Sequence, residues 1–121
     1  MARHNDTGKL GEELALRYLQ EQGWEILEIN WRLGRTEVDL IAKEKEVLVF
    51  VEVKTRRNDS YGTPEEAVGG GKMKRLTRAC ARYMERIGHD WEVRFDVISI
   101  LLPEGREPRI DHLRDAFFPG I

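Results

Sequence analysis

Residues 36–56 read T-E-V-D-L-I-A-K-E-K-E-V-L-V-F-V-E-V-K-T-R, and the order of apolar and charged positions in this stretch sets the architecture. From Glu46 to Lys54, Val47, Val49, Val51 and Val53 alternate with Leu48, Phe50, Glu52 and Lys54. β-Branched and aromatic residues at a period of two make a strand. Apolar residues on both of its faces make it a central strand, covered on both sides. The burial pattern then breaks into Glu52-Val53-Lys54 at the strand end. Charges on a strand that is otherwise covered need a reason. Upstream, Thr36 to Lys43 forms a second strand, joined to the first by a hairpin around Lys43 to Lys45.

Toward the N-terminus, Asp6 to Gln22 has apolar residues at helical spacing (Leu10, Leu14, Tyr18; Ala15, Leu19). Asp6 or Thr7 is the expected N-cap, and Gly23 sits where a left-handed C-terminal cap is wanted. Gly11 within this helix costs about 1 kcal/mol relative to alanine, so a close backbone approach is expected there. Trp24 to Asn30 reads as a strand. Thr63-Pro64-Glu65-Glu66 carries the signature of a helix start, and Gly69 to Gly71 should break or kink that helix. The main helix then runs to about Ile87, with Met73, Leu76, Cys80, Tyr83, Met84 and Ile87 as its apolar stripe and Lys74, Arg78, Arg82 and Arg86 as a basic one. Trp91 to Leu102 and Arg109 to Leu113 supply two more strands. The order α-β-β-β-α-β-β predicts an α/β sandwich, a mixed β-sheet flanked by helices.

The chain has 121 residues and is expected to be one domain over 1–121. Apolar residues are 40% and charged residues 35%, with no apolar run near the roughly 20 residues that span a bilayer. The N-terminus has no secretory pattern, and Cys80 is the sole cysteine, so a cytoplasmic protein without a disulfide and without membrane partners is expected. Net charge is −2, but its distribution is uneven. Nine basic residues (Lys54, Arg56, Arg57, Lys72, Lys74, Arg75, Arg78, Arg82, Arg86) stand against four acids between Lys54 and Arg86. That asymmetry suits one face turned toward a polyanion; a solvated helix is the plainer alternative.

The chemistry concentrates in Asp39, Glu52 and Lys54. A hairpin turn near Lys45 puts Asp39 opposite Val51 or Glu52, and direct cross-strand partners have Cβ atoms about 4.5–5.5 Å apart. Two carboxylates so close repel unless a cation lies between them or one is protonated. Lys54 points to the side of Glu52. Hard oxygen ligands at such a point suit Mg²⁺ or Mn²⁺, which would polarise a phosphoryl group and acidify a water. The Lys54 ammonium could orient that water or offset charge on the phosphorane oxygens, and the Val53 carbonyl is a natural further ligand. A surface salt-bridge cluster of the same residues is the competing reading. Arg56 and Lys72 are candidate phosphate contacts, with solvation or a structural ion pair as the alternative, and Lys74, Arg78 and Arg82 extend the nucleic-acid face. Cys80 is expected in the core, Asp96 in a structural pair with Arg94 in preference to supporting the site from a neighbouring strand, and His4, His89 and His112 in no role.

V-D-L-I-A, L-V-F-V-E-V-K-T-R, Y-G-T-P-E-E-A-V and K-M-K-R-L together resemble the uncharacterised YraN family of bacterial proteins. G-x-x-G-E-x-x-A from Gly8 to Ala15, R-F-D-V-I from Arg94 and D-A-F from Asp115 agree, so the resemblance covers nearly the whole chain. That family is similar to Holliday-junction resolvases and restriction endonucleases. The resemblance implies a restriction-endonuclease-like three-layer fold and a PD-(D/E)XK site in which Asp39, Glu52 and Lys54 are catalytic. It adds Glu12 as a metal ligand supplied by the first helix, and gives Gly11 beside it the task of letting that helix reach the sheet. The expected function is metal-dependent endonuclease cleavage of DNA, branched or damaged DNA included. The alternative is a nucleic-acid-binding module of the same fold that does not cut. A two-fold homodimer would suit cleavage of both strands of a duplex.

Overall fold

The computed structural model describes residues 2–57 and 70–116, with side chains over 7–57 and 74–116. Among these residues two helices, α1 (Ala2–Glu21) and α2 (Gly70–Ile87), flank five strands. These are β1 (Glu25–Leu33), β2 (Thr36–Glu44), β3 (Val47–Arg56), β4 (Val93–Leu101) and β5 (Arg109–Leu113). They form one sheet in the order β1-β2-β3-β4-β5. β3 and β4 are parallel and the other neighbours antiparallel, so the sheet is mixed and the parallel pair is bridged by the segment holding α2. The architecture is the expected α/β one, with a helix on each face of the sheet.

Two buried clusters divide that sheet. Ala15 and Leu19 of α1 pack with Leu40, Ala42, Val49, Val51, Ile98 and Ile100 on one face. Leu76, Cys80 and Tyr83 of α2 pack with Ile41, Leu48, Phe50 and Phe95 on the other. β3 is therefore the covered central strand that its double-sided apolar pattern demanded. Fully burying one such side chain stabilises by roughly 1.5–3 kcal/mol, and β3 alone buries Leu48, Val49, Phe50 and Val51.

Some boundaries differ from expectation. α1 begins at Ala2, so neither Asp6 nor Thr7 is its N-cap. Leu10 is 47% exposed and does not join the core stripe, which runs instead through Gly11, Ala15 and Leu19. A strict i, i+4 row fixes the buried line, and Leu10 lies one residue to its side. Gly23 does end the helix in the left-handed region (φ 88°), as its position required. α2 begins at Gly70, inside the glycine run; the helix that this run was expected to interrupt lies outside the described residues, and Ile87, expected in the apolar stripe of α2, is 43% exposed at its end. The helix start expected at Thr63–Glu66, and Tyr61, lie outside the described residues, as does the side chain of Lys72.

Candidate metal and phosphate site

The site forms where the β2–β3 ladder opens. Paired residues of these strands have numbers that sum to 91, from Glu44↔Val47 to Leu40↔Val51, which sets Asp39 level with Glu52. Beyond Leu40 the regular pairing stops. Val38 and Leu40 are two apart and would share a face in a regular strand. Yet Leu40 belongs to the α1 cluster and Val38 to the α2 cluster, so β2 turns over at Asp39.

This turn directs the Asp39 carboxylate along the sheet. Its Oδ2 accepts a hydrogen bond from the Val53 N–H at 2.8 Å, a position a β2 carbonyl would fill in an unbroken ladder. The N–H and C=O of one strand residue point to the same edge. The Val53 carbonyl therefore opens toward Asp39, as a ligand must. Glu52 is 8% exposed. By alternation it lies with Phe50 on the α2 face, followed at the same spacing by exposed Lys54 and half-buried Arg56.

Glu12 comes from the opposite face, and Gly11 explains how. A Cβ built on Gly11 would stand 2.8 Å from the Cβ of Thr55, closer than side chains approach, so α1 can cross β3 only without a side chain there. The next residue, Glu12, is held within electrostatic range of Glu37 and Glu52 and is hydrogen-bonded by the Asn30 side chain.

Glu12, Glu37 and Glu52 thus lie within electrostatic range of Asp39 at one corner. Burial pushes the Asp39 carboxyl up to about 7, with the charges of Glu52, Glu12 and Glu37 adding to the rise and the Val53 N–H opposing it. Burial also raises Glu12, opposed by the Asn30 hydrogen bond and reinforced by Glu37 and Glu52. Among the described residues no three Asp, Glu, His or Cys side chains close around a point tightly enough to enclose an ion as they stand. The donor set nevertheless fits a hard divalent cation: carboxylate and carbonyl oxygens whose mutual repulsion such a charge would relieve. Glu12, Asp39, Glu52 and the Val53 carbonyl are the groups that would hold it. Glu37 belongs to the same field; its shared side with Asp39 is the signal in the sequence.

The basic residues fall into two groups. Lys74, Arg78 and Arg82 are exposed on α2, which packs on the face of the sheet that carries Glu52 and Lys54. Arg56 is half-buried and its guanidinium donates to the buried Ser99 hydroxyl at 3.3 Å, while Arg57 donates to Thr7 at 2.9 Å. Ser99, on β4 beside Lys54, is not visible as a site neighbour in the sequence because its register with β3 depends on a parallel crossover. A cleft of about 390 Å³ lies nearby but not at the carboxylates; Leu10, Arg57, Leu102 and Arg106 are among its lining residues.

A second polar cluster is structural. Asp96 is fully buried on β4; it accepts from Arg94 Nε at 2.8 Å and from the Asp115 N–H at 2.9 Å, and meets His112 Nε2 at 2.7 Å. Burial alone would raise its pKa, but these partners hold it below the ordinary carboxylate range. The expected Asp96–Arg94 pair is present. His112, expected to have no role, contacts Asp96 through one ring nitrogen and the Tyr18 hydroxyl through the other, the latter at 3.0 Å. This cluster ties β4, β5 and α1 together. Cys80 is buried in the core, as expected, and burial pushes its thiol up to about 12, so it is no nucleophile.

Among the described residues no helix is long and apolar enough to cross a membrane. Residues 11–100 match the family described as Uncharacterised protein family UPF0102. A UPF0102 protein of Rhodococcus opacus (strain B4) is 49% identical over 118 residues, covering 97% of this chain and 100% of that protein. One from Bacteroides thetaiotaomicron is 47% identical over 121 residues, 100% of this chain and 99% of the relative. One from Flavobacterium psychrophilum is 42% identical over 118 residues, 98% of each chain. The match spans the elements that build the site, from Glu12 to Ser99.

Proposed function

The chain belongs to the uncharacterised protein family UPF0102, and we propose that it is a metal-dependent endonuclease that hydrolyses phosphodiester bonds in DNA. The observation that carries this reading is the convergence of Asp39, Glu52 and Glu12 at the opening of the β2–β3 ladder, with Asp39 held on the Val53 N–H at 2.8 Å. Carboxylates gathered at a strand end, two of them (Asp39 and Glu12) raised by burial and by charged neighbours, beside a lysine and a basic helix, are expensive to keep unless they bind something cationic.

Mg²⁺ or Mn²⁺, when bound, supplies Lewis acidity toward a phosphoryl oxygen and toward water. The residues of the chain do the rest. Asp39 and Glu52 fix the cation's place, and the Val53 N–H fixes Asp39. Lys54, exposed two residues beyond Glu52, offers an ammonium to the nucleophilic water or to the charge gathering on the phosphoryl oxygens in the transition state. Lys74, Arg78 and Arg82 hold the flanking backbone phosphates without reading bases, so cleavage should follow DNA shape more than sequence. Branched or damaged DNA fits that expectation, and a two-fold homodimer would place two sites on opposite strands.

The test is cleavage of end-labelled branched, single-stranded and duplex DNA in Mg²⁺ and in Mn²⁺. Activity should require the metal and disappear in Glu52→Ala and Lys54→Ala. Salt-sensitive DNA binding that is indifferent to metal and to Glu52, with no cutting by wild type, would replace this reading with a non-catalytic binding module.

A further inference from the structure

Asn30 has two properties that the fold does not require of it. Its backbone is in the left-handed region (φ 53°), in the middle of β1 and not at a turn. Non-glycine residues avoid that conformation, and asparagine tolerates it better than most. Its side chain hydrogen-bonds Glu12, a residue of a different element.

The two properties have one origin. In the β1–β2 register, Ile29 pairs with Leu40 and Trp31 with Val38, and the pair between them, Asn30 with Asp39, is skipped. The strands turn over together at this step. On β2, Leu40 and Val38 go to opposite faces; on β1, Trp31 packs with Val38 against the α2 cluster. Left-handed residues and skipped pairs re-aim side chains, and such irregularities concentrate beside active sites. Here the displaced pair is Asp39 itself and the residue that reaches Glu12.

We infer that Asn30 is a positioning residue of the metal site: its left-handed backbone opens β2 at Asp39, and its amide N–H₂ holds the Glu12 carboxylate toward Asp39 and Glu52. The inference rests on the metal reading above and extends it to a group that is neither a ligand nor a base. The amide suits the task because it donates without adding charge. A lysine there would neutralise the corner and compete with the cation, whereas an aspartate would add a further repelling carboxylate. Partners of metal-binding groups of this kind alter metal affinity by roughly 10–100-fold when removed.

The decisive variant is Asn30→Gly, because glycine adopts a φ of 53° freely and keeps the strand geometry while deleting the amide. Mn²⁺ affinity, measured by calorimetry on the metal alone, should fall about tenfold or more in Asn30→Gly. In a Glu12→Gln background the same substitution should produce no further loss, since the carboxylate it positions is gone. Unchanged Mn²⁺ affinity in Asn30→Gly, with wild type binding normally, overturns the role of Asn30 and leaves the metal site standing. An equal loss in both backgrounds also overturns it, because that is the behaviour of a general structural residue. Wild type that fails to bind Mn²⁺ removes the metal reading, and the inference with it.

Discussion

Replacing Asp39 with asparagine should make the metal-free protein more stable at neutral and alkaline pH, and the size of the effect should depend on pH in a defined direction. The Asp39 carboxyl is raised from 3.8 to about 7, chiefly by burial and by the charge of Glu52. Each pKa unit is worth about 1.36 kcal/mol, so keeping Asp39 ionised above pH 7 costs the fold up to about 4 kcal/mol. The folded pKa lies above the unfolded one. Between about pH 4 and pH 7 the folded state therefore holds a proton that the unfolded state has released, and stability falls as pH rises through that window. Below about pH 4 both states are protonated and the cost is absent. The asparagine carbonyl can still accept the 2.8 Å bond from Val53, so the ladder opening stays sealed. Urea unfolding in a chelating buffer, at several pH values from 4 to 8, measures the difference directly. The Asp39→Asn variant should exceed wild type by about 2–4 kcal/mol at pH 8, with the gap shrinking to under about 1 kcal/mol at pH 4. A gap that does not change with pH, or a variant that is less stable at pH 8, refutes the reading of Asp39 as a carboxylate under repulsion.

Three further substitutions test other parts of the molecule. Gly11→Ala should cost about 1–3 kcal/mol despite alanine's better helix propensity, because its methyl would collide with Thr55; thermal unfolding reads this, and cleavage should fall further as α1 and Glu12 are displaced. Asp96→Asn should destabilise by about 1.5–3 kcal/mol at pH 7, since Arg94 keeps Glu44 at 2.8 Å but loses its charge-assisted bonds to the buried carboxylate. That loss should disappear in acid, as pH falls through the depressed pKa of Asp96. Arg78→Ala with Arg82→Ala should lower the slope of log affinity against log salt for duplex DNA by about 2, near the value expected for two lost phosphate contacts.

The strands and their succession along the chain are legible in the sequence because β3 is marked by two registers of apolar residues at once; their order within the sheet depends on the parallel crossover and is not. The Asp39–Glu52 pairing is legible for a related reason: a two-residue hairpin at Lys45 fixes the register of the strands on either side of it. Gly11 is legible as a close approach, but Thr55 as its partner is not, since α1 and β3 are far apart in sequence. Leu10 departs from its expected place because apolar spacing alone cannot choose between two adjacent helical rows. Asn30 and His112 are invisible for a stronger reason. Asn30 matters through a left-handed backbone and a skipped pair, and His112 through its place opposite Ile98 on an edge strand. Neither leaves a periodic trace; both depend on contacts made only after the sheet has assembled.

The metal centre is the claim on which the rest depends, and a crystal grown with Mn²⁺ and a short DNA oligonucleotide tests it directly by anomalous scattering. The expected result is an ion bound by the carboxylates of Asp39 and Glu52 and the carbonyl of Val53, with Glu12 in its reach and a phosphate oxygen of the DNA completing its shell. An ordered ion elsewhere, or DNA bound across α2 with Asp39 still turned onto Val53 and no ion between the carboxylates, would contradict it.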